Sequence, residues 1–248
     1  MQIVGVSNIK GGVGKTTTAV NLAFLAASTG RRTVLWDLDP QGAATYLLDG
    51  EANERASARK LVRGRRGLQE ILAPTRFENL ALLPADTSYR NFDIHMSAEK
   101  HPTRRLMMMA GPLQDHCDLL LLDCPPGISL LSENVLRAAD AMVVPTLPAP
   151  LSLRMLEQLQ SFVAAEGWSD LALLPFFSMV DRRRSLHQQV IAEARSRFPS
   201  MLSVEIPYWS EIERMSARRA PLPAFAPRSP AAEIYAALWT EIDARLQA

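Results

Sequence analysis

The sequence is poor in cysteine and in aromatic residues, carries no surplus of either charge, and has no long apolar run. Two cysteines in 248 residues cannot make a disulfide framework. Cys117 and Cys124 lack metal-type spacing and sit beside apolar strands, so buried reduced thiols are expected. The histidines, His95, His101, His116 and His187, show no metal spacing either. A formal net charge of +1 excludes a nucleic-acid binder that works by bulk charge, though not a local basic patch. The longest apolar runs, such as 119–122 with its flanks, fall far short of the roughly 20 residues that span a bilayer. The chain begins on a strand-like QIVGVS with no basic stretch leading a long apolar one, so a soluble protein of the cytosol is expected.

What is present is a 48% hydrophobic content, enough for one sizeable α/β domain over 1–248. Short apolar runs alternate with longer amphipathic ones, the rhythm of βαβ units and a parallel sheet. The pattern predicts strands over 2–7, 33–37, 80–84, 118–123, 141–144, 171–177 and 202–206. It predicts helices over 16–28, 103–113, 130–138, 151–165, 185–197 and 230–246. Two segments depart from it. Residues 51–66, EANERASARKLVRGRR, read as a charged exposed loop or frayed helix, and the proline-rich 221–230 reads as a connector to the last helix. The methionine-rich LMMMAGPL, 106–113, has helical spacing and reads as core or interface filler.

The chemistry opens at SNIKGGVGKTTT. Gly14, Lys15 and Thr16 supply the second half of the phosphate-loop pattern G-x-x-x-x-G-K-[ST], with Ile9 where its first glycine would stand. Gly11, Gly12 and Gly14 lack Cβ atoms, so backbone N–H groups can approach phosphate oxygens, and the helix that follows aims its positive end at them. Lys15 would reach the β- and γ-phosphates, and the Thr16 hydroxyl would ligate Mg²⁺. Asp37 and Asp39 lie two apart at a strand end, where both can point toward the phosphate loop on the neighbouring strand. Asp123 ends another apolar strand in the same way. Carboxylates so placed imply a cation, and Mg²⁺ needs few protein ligands because it keeps most of its waters.

KGGVGKTT, with VLWDLDPQGAAT at 34–45 and LLLLDCPPG at 119–127, resembles the ParA and MinD group of partition and positioning ATPases. SMVDRRRSL and IPYWSEI resemble that family's later segments around the nucleotide base, so the likeness covers essentially the whole chain. It implies a single doubly wound, mostly parallel P-loop sheet with helices on both faces. It implies ATP and Mg²⁺ as cofactors, with Lys10, Gly11, Gly12, Val13, Gly14, Lys15, Thr16 and Thr17 around the phosphates and Pro207 beside the base. By the same resemblance Asp39 orients or activates the attacking water, Asp37 supports the magnesium shell together with Thr16, and Asp123 is the Walker B carboxylate. The second lysine, Lys10, would cross a face-to-face homodimer and touch the partner subunit's phosphates.

The resemblance implies slow ATP hydrolysis, stimulated by a ParB-like or cargo-adaptor partner, that drives partitioning or positioning. Nonspecific DNA binding by the ATP dimer would place the protein on the nucleoid. Arg182, Arg183, Arg184, Arg195, Arg197, Arg214, Arg218 and Arg219 are the candidate phosphate contacts, with Arg55, Arg59, Lys60, Arg63, Arg65 and Arg66 as an additional set. One departure stands out: YWSE follows Ile206 and Pro207, putting Glu211 where a DNA-contacting arginine is expected. The alternatives are a regulatory ATPase without DNA binding and a MinD-like membrane switch. Ile234, Leu238, Ile242 and Leu246 form an apolar stripe at the C-terminus, but Glu233, Glu241 and Asp243 make its polar face acidic, so a helix packed on the domain is favoured.

Overall fold

Apolar runs that alternate with amphipathic segments build one sheet covered on both faces, as all-parallel strands require. The computed structural model describes residues 1–51 and 57–247. The elements run β1 (Gln2–Val6), α1 (Lys15–Ser28), β2 (Thr33–Asp37), α2 (Ala43–Leu47), α3 (Ala58–Val62), β3 (Ala73–Pro74), β4 (Leu80–Leu83), α4 (Phe92–Ser97), α5 (Arg105–Ala110) and β5 (Leu119–Asp123). They continue with α6 (Leu130–Ala138), β6 (Ala141–Thr146), α7 (Pro150–Ala165), β7 (Ala172–Val180), α8 (Ser185–Arg197), β8 (Glu205–Pro207), α9 (Ser210–Arg218), α10 (Leu222–Phe225) and α11 (Pro230–Leu246). Strand order in the eight-stranded sheet is β3-β4-β2-β5-β1-β6-β7-β8, parallel except for the β3–β4 pair.

Side-chain alternation along the central strands divides the core in two. Trp36, Leu120 and Leu122 face Leu61, Phe92 and Leu106 on one side, while Leu35, Leu119 and Leu121 face Leu22, Leu47 and Leu238 on the other. Every residue of β2, β5 and β6 is buried. Each leucine fully removed from water contributes about 1.5–3 kcal/mol before conformational entropy is counted, so these strands anchor the site carried at their C-terminal ends. The expected doubly wound α/β sheet is present, and Cys117 and Cys124 are free and buried.

Several local expectations are corrected. The helix predicted over 103–113 stops at Ala110, and a tighter 3-10 turn continues through Gly111–Asp115, where Pro112 removes a backbone donor. Within the segment 51–66, residues 52–56 and hence Arg55 lie outside the described residues. The rest is not a solvated loop: α3 buries Ala58, Leu61 and Val62, one apolar face at i, i+3 and i+4. The proline-rich 221–230 contains the short α10, whose Leu222 and Pro223 are buried. Residues α2, α4 and α9 were not anticipated, each being too short or too polar for a clear helical period.

The C-terminal stripe packs on the domain as expected. Leu238 and Ile242 are fully buried on α11, and Ile234 and Leu246 pack against the same cluster. Among the described residues no helix is long and apolar enough to cross a membrane. Beneath α11, Asn21 of α1 is buried; its Nδ2 donates to Thr17 O at 2.8 Å, and its Oδ1 accepts from Leu222 N at 2.8 Å. Asn21→Ala leaves that buried N–H unpaired, so unfolding in urea should show a loss of about 1–3 kcal/mol with an unchanged m-value. An unchanged midpoint would mean that Asn21 does not tie α10 to α1.

Candidate functional site

β1 ends at the centre of the sheet and turns sharply into α1, which sets the phosphate loop at the C-terminal edge where ligands of doubly wound sheets collect. The turn needs glycine at two points: Gly12 has φ +70° and Gly14 φ +89°, left-handed backbone that other residues adopt at a cost. A Cβ on Gly11 or Gly12 would enter open space, whereas one on Gly14 would press on Ser178 Oγ at 3.2 Å. Asn8 braces the loop, its Nδ2 donating to Pro145 O of β6 at 2.8 Å and its Oδ1 accepting from Lys10 N at 2.9 Å. Gly127 N, after β5, donates to Ile9 O at 3.1 Å. The residue standing in place of the first motif glycine therefore fastens the segment after Asp123 to the phosphate loop.

The two lysines take different courses. Lys15 is 7% exposed and its Nζ donates to Lys10 O at 3.0 Å. Burial holds its ammonium below the usual lysine range, opposed by the charges of Asp123 and Asp39. Lys10 is only half-buried, and its Nζ reaches Ser152 Oγ, at the start of α7, at 3.4 Å.

The acidic residues divide as clearly. Asp37 and Asp123 are cross-strand partners in the β2–β5 register, and both are fully buried. The expectation that Asp37 and Asp39 face a phosphate loop on the adjacent strand is corrected, because β5 lies between β2 and β1 and brings Asp123 closest to the loop. Asp37 is fully engaged: Oδ2 accepts from Thr45 N at 2.7 Å and Thr45 Oγ1 at 2.8 Å, and Oδ1 accepts from Asp39 N at 3.2 Å. Burial still pushes its carboxyl up to about 6. Thr45 Oγ1 also accepts from Ala85 N at 2.8 Å, so Asp37 secures α2 to the end of β4.

Asp123 has neither carboxylate oxygen in a hydrogen bond. Burial first, and then the Asp37 charge, push its carboxyl well above the usual range, while the Thr16 hydroxyl and Lys15 oppose that rise. A buried carboxylate without partners is costly to keep, and a cation beside Thr16 would satisfy it. Among the described residues no three His, Cys, Asp or Glu side chains gather to hold a metal by themselves. That suits Mg²⁺, whose shell is completed by water and ligand phosphates. Asp39 is half-buried, with Oδ1 accepting from Gln41 N at 2.9 Å.

A cavity of about 310 Å³ opens beside the loop, lined by Gly14, Thr17, Met179, Pro207, Trp209 and Tyr235. Met179, with φ +56°, breaks the register between β7 and β8 and shapes its wall. Pro207 thus stands with Gly14 and Thr17 around one space.

The candidate DNA arginines are less free than their sequence clusters imply. Arg183 holds Asp181 through two bonds of 2.9 and 3.0 Å, and Arg182 and Arg195 pair with Glu205 at 3.7 and 2.7 Å. Arg197 pairs with Glu157 and Glu193. Arg219 joins Asp49 at 2.7 Å, stacks over Tyr46 and donates to Tyr46 O at 3.3 Å, clasping the end of α9 to the end of α2. Arg184, Arg214 and Arg218 enter no side-chain ion pair among the described residues. Asn8, Thr45 and Ser152 escaped the sequence reading, although Asn8 and Thr45 lie inside quoted motifs.

Residues 1–166 match the model of the family described as AAA domain. The chromosome partitioning protein ParA of Myxococcus xanthus is 32% identical, over 97% of this chain and 87% of its own. The sporulation initiation inhibitor protein Soj of Bacillus subtilis is also 32% identical, over 98% of each chain. Cobyrinic acid a,c-diamide synthase from Mycobacterium smegmatis, solved with an ATP analog and magnesium, superposes with a TM-score of 0.82 at 24% identity, covering 100% of this chain and 96% of that one, a likeness of fold.

Proposed function

The chain belongs to the ParA/MinD family of positioning ATPases, and from that premise we propose an ATP-gated homodimer that binds duplex DNA without sequence preference and leaves it on hydrolysis. ATP binds with its phosphates on the backbone of Gly11 to Gly14 and its base beside Pro207. Thr16 and Asp123 would hold Mg²⁺, which would supply positive charge to offset the charge that builds on the phosphates during transfer. Lys15 supplies a buried cation to the β- and γ-phosphates. Asp39, with one carboxylate oxygen left over from its Gln41 bond, orients the attacking water. Asp37 acts mainly by fixing α2 through Thr45. Hydrolysis is slow on its own, and a ParB-like or cargo-adaptor protein accelerates it.

The observation that carries the reading is the divergence of the two lysines. One phosphate loop needs one lysine, and Lys15 fills that place, while Lys10 is extended to the edge of α7, from which it can reach a second subunit. A lone contact of 3.4 Å to Ser152 holds it weakly. Lys10→Ala should therefore keep its fold and its ATP affinity yet stay monomeric with ATP in analytical ultracentrifugation. An ATP dimer as stable as that of the unaltered chain would refute the gating role.

Arg184, Arg214 and Arg218 are the most available phosphate contacts for the dimer, with Glu211 three residues before Arg214 on α9. Binding to a nonspecific duplex should appear with ATP, vanish with ADP, and fall steeply as salt rises. Duplex binding that is equal in both nucleotides would overturn the gating, and no duplex binding with either would remove DNA and leave the regulatory ATPase.

A further inference from the structure

The cavity of about 310 Å³ beside the phosphate loop adjoins a wider one of about 720 Å³ that opens between the segments leaving β7 and β8. Four residues wall both spaces: Met179, Pro207, Tyr208 and Trp209. Trp209 is half-buried and packs against the core cluster that carries α1 and α11, so its ring is committed to the fold. Tyr208 is 63% exposed and joins neither core cluster. Folding gains little from a ring left in water, and this one stands on the wall common to both spaces.

The ring is held in place without being covered. Tyr208 N donates to Val180 O at 3.2 Å, which fixes the backbone at the end of β8 against β7. Its phenol hydroxyl donates to Glu213 Oε1 at 3.2 Å, in the first turn of α9, and Glu213 lines the inner cavity as well. A tyrosine has only two side-chain torsions to fix, and both ends of this one are tied, so a ligand that meets its face has little left to order.

We propose that Tyr208 is a specificity-determining residue for the nucleotide, its ring stacking on the base and favouring a purine over a pyrimidine; this rests on the ATP-binding reading above. The inner cavity runs from Gly14 and Thr17 to Pro207 and Tyr208, so phosphates seated on the loop leave the base within reach of this wall. Every base has a π-face, but a purine overlaps more of an aromatic ring than a pyrimidine does. The contact needs the ring and not its hydroxyl, so phenylalanine can take its place. Duplex DNA also carries bases, but they are stacked on one another inside the helix and do not offer a face to an exposed tyrosine.

Binding of ATP, CTP and inorganic tripolyphosphate to the full chain is measured by isothermal titration, the weaker ligands by displacement of ATP. Tyr208→Ala should weaken ATP about tenfold, CTP about threefold and tripolyphosphate less than about twofold. Tyr208→Phe should bind all three as the unaltered chain does. The side chain is exposed, and matching thermal melts confirm the folds. Equal losses for the three ligands would mean that Tyr208 only supports the shape of the loop, and would overturn the proposal. ATP affinity that is unchanged in Tyr208→Ala, or lost as much in Tyr208→Phe, overturns it too. A chain that binds none of the three ligands would remove the nucleotide reading itself, whereas ATP binding that depends on Lys15 and ignores Tyr208 strikes the stacking alone.

Discussion

Lys15→Ala is expected to lose ATP binding, by about 100-fold or more in isothermal titration. The side chain is buried with its ammonium against the Lys10 carbonyl, so it is already desolvated and aimed into the loop before any phosphate arrives. A charge-assisted hydrogen bond contributes about 1.5–3 kcal/mol, and the upper end of that range is about 100-fold in affinity. The change also removes the Lys15 charge that opposes the rise of the Asp123 carboxyl. ATP affinity equal to that of the unaltered chain would sink the assignment of this loop.

Asp39→Ala should separate chemistry from binding. ATP affinity should stay within about threefold, because Asp39 is spent on one backbone bond to Gln41 and leaves Lys15 and the glycine turn untouched. Hydrolysis, measured as phosphate release in single turnover, should fall by about 10²–10⁴-fold, the usual worth of a positioned group that orients or deprotonates the nucleophile. A rate that changes less than threefold would move the water-orienting role elsewhere, and Asp37 is a poor successor because Thr45 and the Asp39 backbone occupy both its oxygens.

Much of the site was legible because its chemistry is local. Glycines that must adopt left-handed backbone, a lysine and a threonine at the start of a helix, and aspartates ending apolar strands are all set by neighbours within a few residues. Helices α6, α8 and α11 matched their predicted bounds for the same reason, each having clear stop signals or a regular apolar stripe. Short elements failed. α2 and α3 have five residues each, less than the window over which a helical period can be read, and the two-residue β3 exists only because β4 lies beside it.

The arginines teach the converse. Their clustering in sequence made them candidate phosphate contacts, but pairing is decided by what the fold brings near. Arg219 meets Asp49 and Tyr46 from an element far away in the chain, and so becomes a clasp between α9 and α2. The segment from Arg59 to Arg66, expected as an exposed loop or frayed helix, likewise begins in α3 and forms one wall of a groove beside α5.

The sequence by itself determined a parallel α/β sheet, a phosphate loop with two lysines, and the carboxylates that accompany it, because these follow from local backbone freedom and from runs of apolar residues. The tertiary structure alone decided that β5 enters between β1 and β2, so that Asp123 rather than Asp37 is left unpartnered beside the loop, and that the two lysines of one short turn point to different places. Strand order and side-chain pairing depend on contacts between residues distant in the chain, and no periodicity along a single segment encodes them.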